Sequence, residues 1–263
     1  MRPTDCILPL VGADGEGLPE PIGTGILLEV DDKVFLLSAT HVFTDNQETT
    51  IYYPAKTGFS MLRGERVGGS RDKEDVCWML LSGEIVADIS SNFKPVPVGM
   101  VDMNDVTKKG DLYMLTGFPE ELLRIDLEKR KFNHRIHTYT AMPVDKRIYR
   151  KCGAKMISHI VIKHSKKKAK RSSGKKVKST DLHCMSGGAV WKFLGPENSI
   201  KGVPAVRLVG VTIEKHDIWG AAVVTRINYV IESIRSEIPS LSGALPTSQT
   251  IEIKVTGPSD GTK

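Results

Sequence analysis

Hydrophobic positions along this chain fall into short runs rather than long helical stripes. Residues 25–30 (GILLEV) and 34–39 (VFLLSA) flank Asp31-Asp32-Lys33, and two apolar stretches around a polar turn predict a β-hairpin. Further runs follow at 75–81 (DVCWMLL), 111–118 (DLYMLTGF), 156–163 (MISHIVIK), 188–193 (GAVWKF), 207–213 (RLVGVTI) and 220–227 (GAAVVTRI). They are rich in Val, Ile, Leu and Thr and bounded by Gly, Pro, Asp or Asn, the composition of strands. Two stretches depart from this pattern. Pro119–Lys131 mixes leucines with charges and reads as a helix. Ile227–Ile238 places Ile227, Val230, Ile231 and Ile234 on one face, the helical spacing. Beyond Pro239 the chain is rich in Ser, Thr, Gly and Pro and reads as a flexible tail over 240–263, with a short strand at Ile251–Val255. No internal repeat of about 20–50 residues appears, which argues against solenoids and propellers. The expected architecture is all-β with a C-terminal helix.

Composition narrows the class. The 263 residues are 40% apolar and 26% charged, enough for a sizeable core and unlike a disordered or fibrous chain. No run approaches the roughly 18 uninterrupted apolar residues of a membrane span. The segment MRPTDCILPLVGADGEG meets acidic residues and glycines too early for a signal peptide, so a soluble, cytoplasmic protein is expected. Cysteines at 6, 77, 152 and 184 have neither metal-ligand spacing nor disulfide-scaffold density, and reduced thiols fit that compartment.

The net charge of +6 is a local effect. Residues 163–178 (KHSKKKAKRSSGKKVK) hold nine Lys or Arg and no acid, and without them 28 basic residues face 31 acidic ones. Such a run repels itself and predicts a solvated, mobile insertion. The sharper reading of Lys163–Lys178 is contact with a polyanion, an anionic membrane or an acidic protein. No aromatic interleaves the lysines, so bases would find no stacking platform.

Three segments carry candidate chemistry. Residues 36–42 (LLSATHV) form an apolar strand ending in His41. Residues 74–81 (EDVCWMLL) open a strand with Asp75. Residues 183–190 (HCMSGGAV) set Ser186 before two glycines and a strand. Singly these are ordinary turn residues. In the order His, Asp, Ser, each at a strand boundary, they resemble the trypsin-like (chymotrypsin-fold) serine peptidases of the standalone type. Ser38–His41 matches that family's TAAH segment, Asp75–Leu80 its DIALL segment and Cys184–Gly188 its GDSGG segment. Gly23-Thr24-Gly25, Leu208–Val211 and Ala222–Ile227 extend the likeness over roughly residues 20–238.

The resemblance implies two antiparallel β-barrels over residues 1–239, with the active site in the cleft between them. It implies a serine endopeptidase in which Ser186 attacks the peptide carbonyl, His41 takes and returns the proton, and Asp75 fixes the histidine tautomer. Backbone N–H groups of Cys184 and Ser186 would form the oxyanion hole. Thr180 would sit at the base of the primary substrate pocket, with Ile213, Glu214, Lys215 and Ala222 as its walls and Asp181 and Glu214 leaving a basic P1 side chain open. No cofactor and no metal are expected.

Departures from the family pattern set further expectations. Cys184 replaces a glycine, inviting a cysteine-nucleophile reading or a redox role through a low-pKa thiolate. A zinc reading of Cys152, His159, His164, His183 and Cys184 lacks a recognisable ligand spacing. Met185 stands where the secreted members carry the aspartate that pairs with a newly cleaved N-terminus, so zymogen cleavage cannot complete the site. Gating by an activating partner protein is expected instead. The competing class is a pseudoprotease or interaction module, whose basic loop docks an acidic protein or nucleic acid.

Overall fold

A computed structural model describes residues 2–13, 17–56, 58–70, 74–126, 131–165, 169–170, 176–177, 180–199 and 204–248. The first half supplies β1 (Ile7–Ala13), β2 (Pro19–Val30), β3 (Lys33–Ala39), α1 (Thr40–Thr44), β4 (Tyr52–Pro54), β5 (Phe59–Met61), β6 (Gly64–Ser70), β7 (Val76–Leu81), α2 (Gly83–Ile89) and β8 (Val96–Pro97). The second supplies β9 (Tyr113–Gly117), β10 (Leu123–Asp126), β11 (Lys131–His134), β12 (His137–Ala141), α3 (Lys146–Lys151), β13 (His159–Lys163), β14 (Ala169–Lys170), β15 (Lys176–Val177), β16 (Ala189–Phe193), β17 (Val206–His216), β18 (Ala221–Arg226) and α4 (Ile227–Glu237). Strands dominate and pair antiparallel, and one sheet curls into a half-barrel.

The first sheet runs β5-β4-β1-β2-β3-β7-β6, with β8 lying parallel beside β2. Its centre is the hairpin expected around Asp31–Lys33: Val30 faces Lys33, and Asp31 takes a left-handed φ of 55° in the turn. A short polar side chain tolerates that conformation better than a branched one. The second sheet runs β12-β9-β16-β17-β18-β13. Just past β12, Val144 N donates to Val161 O (2.9 Å) and Lys163 N to Met142 O (3.0 Å), which brings the two edges of this sheet together. Of the two barrels expected, the strand paths establish antiparallel sheets, one of them a half-barrel.

Packing joins both sheets to α4. Its predicted apolar face is the buried one, with Ile227, Val230, Ile231 and Ile234 inside. Each such side chain contributes about 2 kcal/mol relative to exposure. Trp78 Nε1 donates to Ser233 Oγ at 3.0 Å, fastening the helix to β7. A separate apolar cluster lies within the second sheet and includes Leu115, Ile162, Leu182, Met185, Val209 and Val224. No described helix is long and apolar enough to cross a membrane.

Three expectations change. The described part of 119–131 is not a helix: a single 3-10 turn at Glu120–Leu122 gives way to β10, which pairs with β11 from Leu123↔His134 to Asp126↔Lys131. Leucine and isoleucine alternate with charge at 123–126, and a partner strand close in sequence makes the period-two pattern win. The packed body also continues past 239, because Leu241 and Leu245 are buried against the core. The strand expected at Ile251–Val255 lies outside the described residues. Within the basic segment, β14 and β15 pair with each other and His164 is buried, while most of the remaining lysines lie outside the described residues.

Candidate active site

Register places the first two candidate residues. β3 pairs with β7 so that Ala39 faces Val76, which sets the residues after 39 beside the residue before 76. Thr40 N then donates to Asp75 O (3.1 Å) and His41 N to Asp75 Oδ1 (3.0 Å). Asp75 holds a left-handed φ of 45°, a conformation that costs a non-glycine residue about 1–2 kcal/mol and that these bonds maintain. The result is a contact of 2.6 Å between His41 Nδ1 and Asp75 Oδ2. This hydrogen bond raises the His41 pKa above its ordinary value, against the opposing effect of burial, with the charges of Asp75, Asp45 and Glu214 adding to it.

The serine turn comes from the other sheet. Met185 N donates to Leu182 O, Gly187 N to Thr212 O and Gly188 N to Met185 O, all at 2.7–2.9 Å. Thr24 clamps the turn from β2, its N–H donating to Ser186 O (2.8 Å) and its hydroxyl to Cys184 O (3.1 Å). Gly187 has a φ of 86°, and a Cβ there would lie 1.9 Å from Thr24 O. Only glycine fits that approach. Cys184 also takes a left-handed φ of 65°, the conformation a glycine would adopt without strain. Among the described residues, the N–H groups of Cys184 and Ser186 have no acceptor. Two unengaged donors flanking a serine are the arrangement an oxyanion requires.

His41, Asp75, Cys184, Ser186, Ile213 and Glu214 line one cleft of about 790 Å³. Ser186 Oγ donates to Ile213 O at 3.4 Å, and among the described residues no hydrogen bond joins it to His41. Two expected pocket residues do not line this cleft. Ala222 is fully buried in β18, opposite Ile162 and Lys215, and half-buried Thr180 lies off the lining. Of the two carboxylates that left a basic P1 open, Asp181 pairs with Lys215, which also reaches Asp217 (3.0 Å). Glu214 Oε2 lies 3.1 Å from His216 Nε2 in a contact without hydrogen-bond geometry. Lys215, the last of the expected wall residues on β17, lines the cleft beside Ile213 and Glu214.

The four cysteines are free. Burial, with the charges of Glu120 and Glu20, pushes the Cys184 thiol up to about 12. A low-pKa thiolate, the basis of the redox and cysteine-nucleophile readings, is therefore not what this turn stabilises. The chain matches no known family model and no curated protein.

Proposed function

We propose that the chain is a serine endopeptidase that hydrolyses peptide bonds in a protein or peptide substrate through Ser186, His41 and Asp75. The observation that carries this reading is the 2.6 Å His41–Asp75 contact on the wall of the cleft that Ser186 also lines. A serine hydroxyl needs a base to remove its proton as it attacks. With Nδ1–H held by Asp75, the other ring nitrogen of His41 is left to accept that proton and return it to the leaving amine. The mechanism requires Ser186 Oγ to leave its long bond to Ile213 O for His41 across the shared cleft, and such contacts commonly form only with substrate bound. The N–H groups of Cys184 and Ser186, without an acceptor among the described residues, then receive the oxyanion, each worth about 100-fold or more in rate.

On this reading the two sheets are the two barrels of a chymotrypsin-like fold. Support comes from the bonds between Met142–Val144 and Val161–Lys163 that draw together the edges of the second sheet. Activation proceeds without a carboxylate–amine latch, because Met185, at the position of the latch aspartate, is fully buried among apolar neighbours. Packing and the Thr24 clamp hold the turn, so a gating partner would act at the cleft entrance. The Lys163–Lys178 segment is proposed to engage an acidic partner, and four free thiols accord with a cytoplasmic setting.

Fluorophosphonate labelling followed by peptide mapping tests the assignment. The adduct should fall on Ser186 and disappear in Ser186→Ala and His41→Ala chains that retain their fold. An adduct on Cys184, or labelling that survives Ser186→Ala, would overturn it.

A further inference from the structure

Beside the serine turn lies a second cluster whose side chains the proposed hydrolysis does not use. Glu120 sits in the turn after Pro119, and His183 and Cys184 are consecutive in the serine turn. His183 Nδ1 lies 2.8 Å from Glu120 Oε2 and 3.3 Å from Cys184 Sγ. All three potential ligand atoms lie within 4.8 Å of one another. The two segments are joined by their backbones, Glu120 N donating to His183 O at 3.2 Å, and Cys184 is anchored from β2 by Thr24. We propose that Glu120, His183 and Cys184 form a binding site for Zn²⁺ at the rim of the cleft.

The donor chemistry selects the ion. One sulfur, one imidazole nitrogen and one carboxylate oxygen suit zinc, whereas calcium and magnesium require oxygen ligands throughout. Zinc bonds of about 2.0–2.3 Å in a tetrahedron spread neighbouring ligands roughly 3.3–3.8 Å apart. The observed separations of 2.8 and 3.3 Å need only a small widening, and three donors leave a fourth place for water. The side chains of His183 and Glu120 are 73% and 56% exposed, so they adjust without disturbing the core. No pair spacing in the sequence reveals the site, since Glu120 is 63 residues from His183.

Coordination proceeds by simple ligand exchange. Without metal the Cys184 thiol is protonated and donates to Pro21 O at 3.1 Å. On binding, the S–H bond breaks, a sulfur–zinc bond forms and the thiol proton leaves to solvent. The Nδ1 proton that His183 donates to Glu120 moves through solvent to Nε2, freeing Nδ1 for the ion, with no change in oxidation state. The loss of the Pro21 bond opposes binding. Glu120 and Glu20, whose charges disfavour the bare thiolate, favour the cation. Because the Cys184 N–H is an oxyanion donor on the proposed mechanism, an ion on its side chain sits at the reacting cleft and should inhibit hydrolysis. That consequence rests on the peptidase reading, whereas the binding does not.

The test titrates the full chain with Zn²⁺ by calorimetry in two buffers of different ionisation enthalpy. One ion should bind per chain, with release of about one proton near neutral pH. Co²⁺ in place of Zn²⁺ should give a thiolate-to-metal charge-transfer band that Cys184→Ser abolishes. His183→Ala and Glu120→Gln, both at exposed positions, should each weaken Zn²⁺ binding by about ten-fold or more, with circular dichroism and melting confirming the fold. Unchanged affinity in His183→Ala and Cys184→Ser, or cobalt binding without the thiolate band, would overturn the site. Zinc binding with these signatures in a chain that never labels with fluorophosphonate would sink the peptidase reading and leave the site standing. Labelling at Ser186 with zinc affinity indifferent to all three substitutions would do the reverse.

Discussion

The two halves of the cleft differ in how much of their chemistry is already assembled. On the first-sheet side, β-ladder register forces Asp75 against His41, and side chain and backbone are bonded together at 2.6 and 3.0 Å. On the second-sheet side, several backbone bonds hold the turn, yet the Ser186 hydroxyl donates to a carbonyl and, among the described residues, the N–H groups of Cys184 and Ser186 have no acceptor. On the proposed peptidase reading, the histidine side is complete in the free chain, and the serine side awaits a substrate whose developing charge would engage the oxyanion donors.

Removing the waiting side should have the largest effect. Ser186→Ala should lower peptide hydrolysis by several orders of magnitude without loss of fold, because such residues act as a unit; stopped assays with clean controls would read it, and retained turnover would discard the assignment. On the finished side, Asp75→Asn should cost about 10⁴-fold by favouring the wrong histidine tautomer. Gly187→Ala separates scaffold from chemistry. Its Cβ would run into Thr24 O and Ser38 Oγ, so a melt should show about 3 kcal/mol or more of lost stability, and a neutral result would mean the clamp is not rigid.

A graded measurement follows from His41. Its raised pKa means that turnover should climb as pH rises through a value above the ordinary 6.5, since only the neutral ring accepts a proton. Stability runs the other way: the charged pair stabilises fully below the ordinary value, and that contribution fades as pH rises through the raised one. In an NMR titration Asp75→Asn should move the His41 midpoint down most, Asp45→Asn less and Glu214→Gln least, following the order of their interactions with the ring. The smallest effect concerns the basic segment. Deleting residues 165–178 should leave hydrolysis of a short neutral peptide nearly unchanged and weaken only the salt-sensitive part of engaging an acidic protein. Equal loss on both substrates at every ionic strength would show that the segment shapes the cleft.

Sequence by itself determined what is local. The runs at 25–30, 34–39, 75–81 and 207–213 lie in strands because period, length and turn boundaries are properties of a few adjacent residues. The face of α4 is correct for the same reason. His41, Asp75 and Ser186 stand at strand boundaries in the sequence, and the structure lines one cleft with all three. Residues 119–131 were misread because a strand partner, not intrinsic propensity, decides their state. β1 and α2 carried too short or too interrupted a signal. Only tertiary structure decided that Ala222 faces the core rather than the cleft, that Lys215 neutralises Asp181, that Met185 anchors the serine turn by burial, and that Glu120 meets His183 and Cys184. Those facts depend on which strands pair and in what register. Register follows from burying the summed apolar surface of distant segments, a quantity no local window contains.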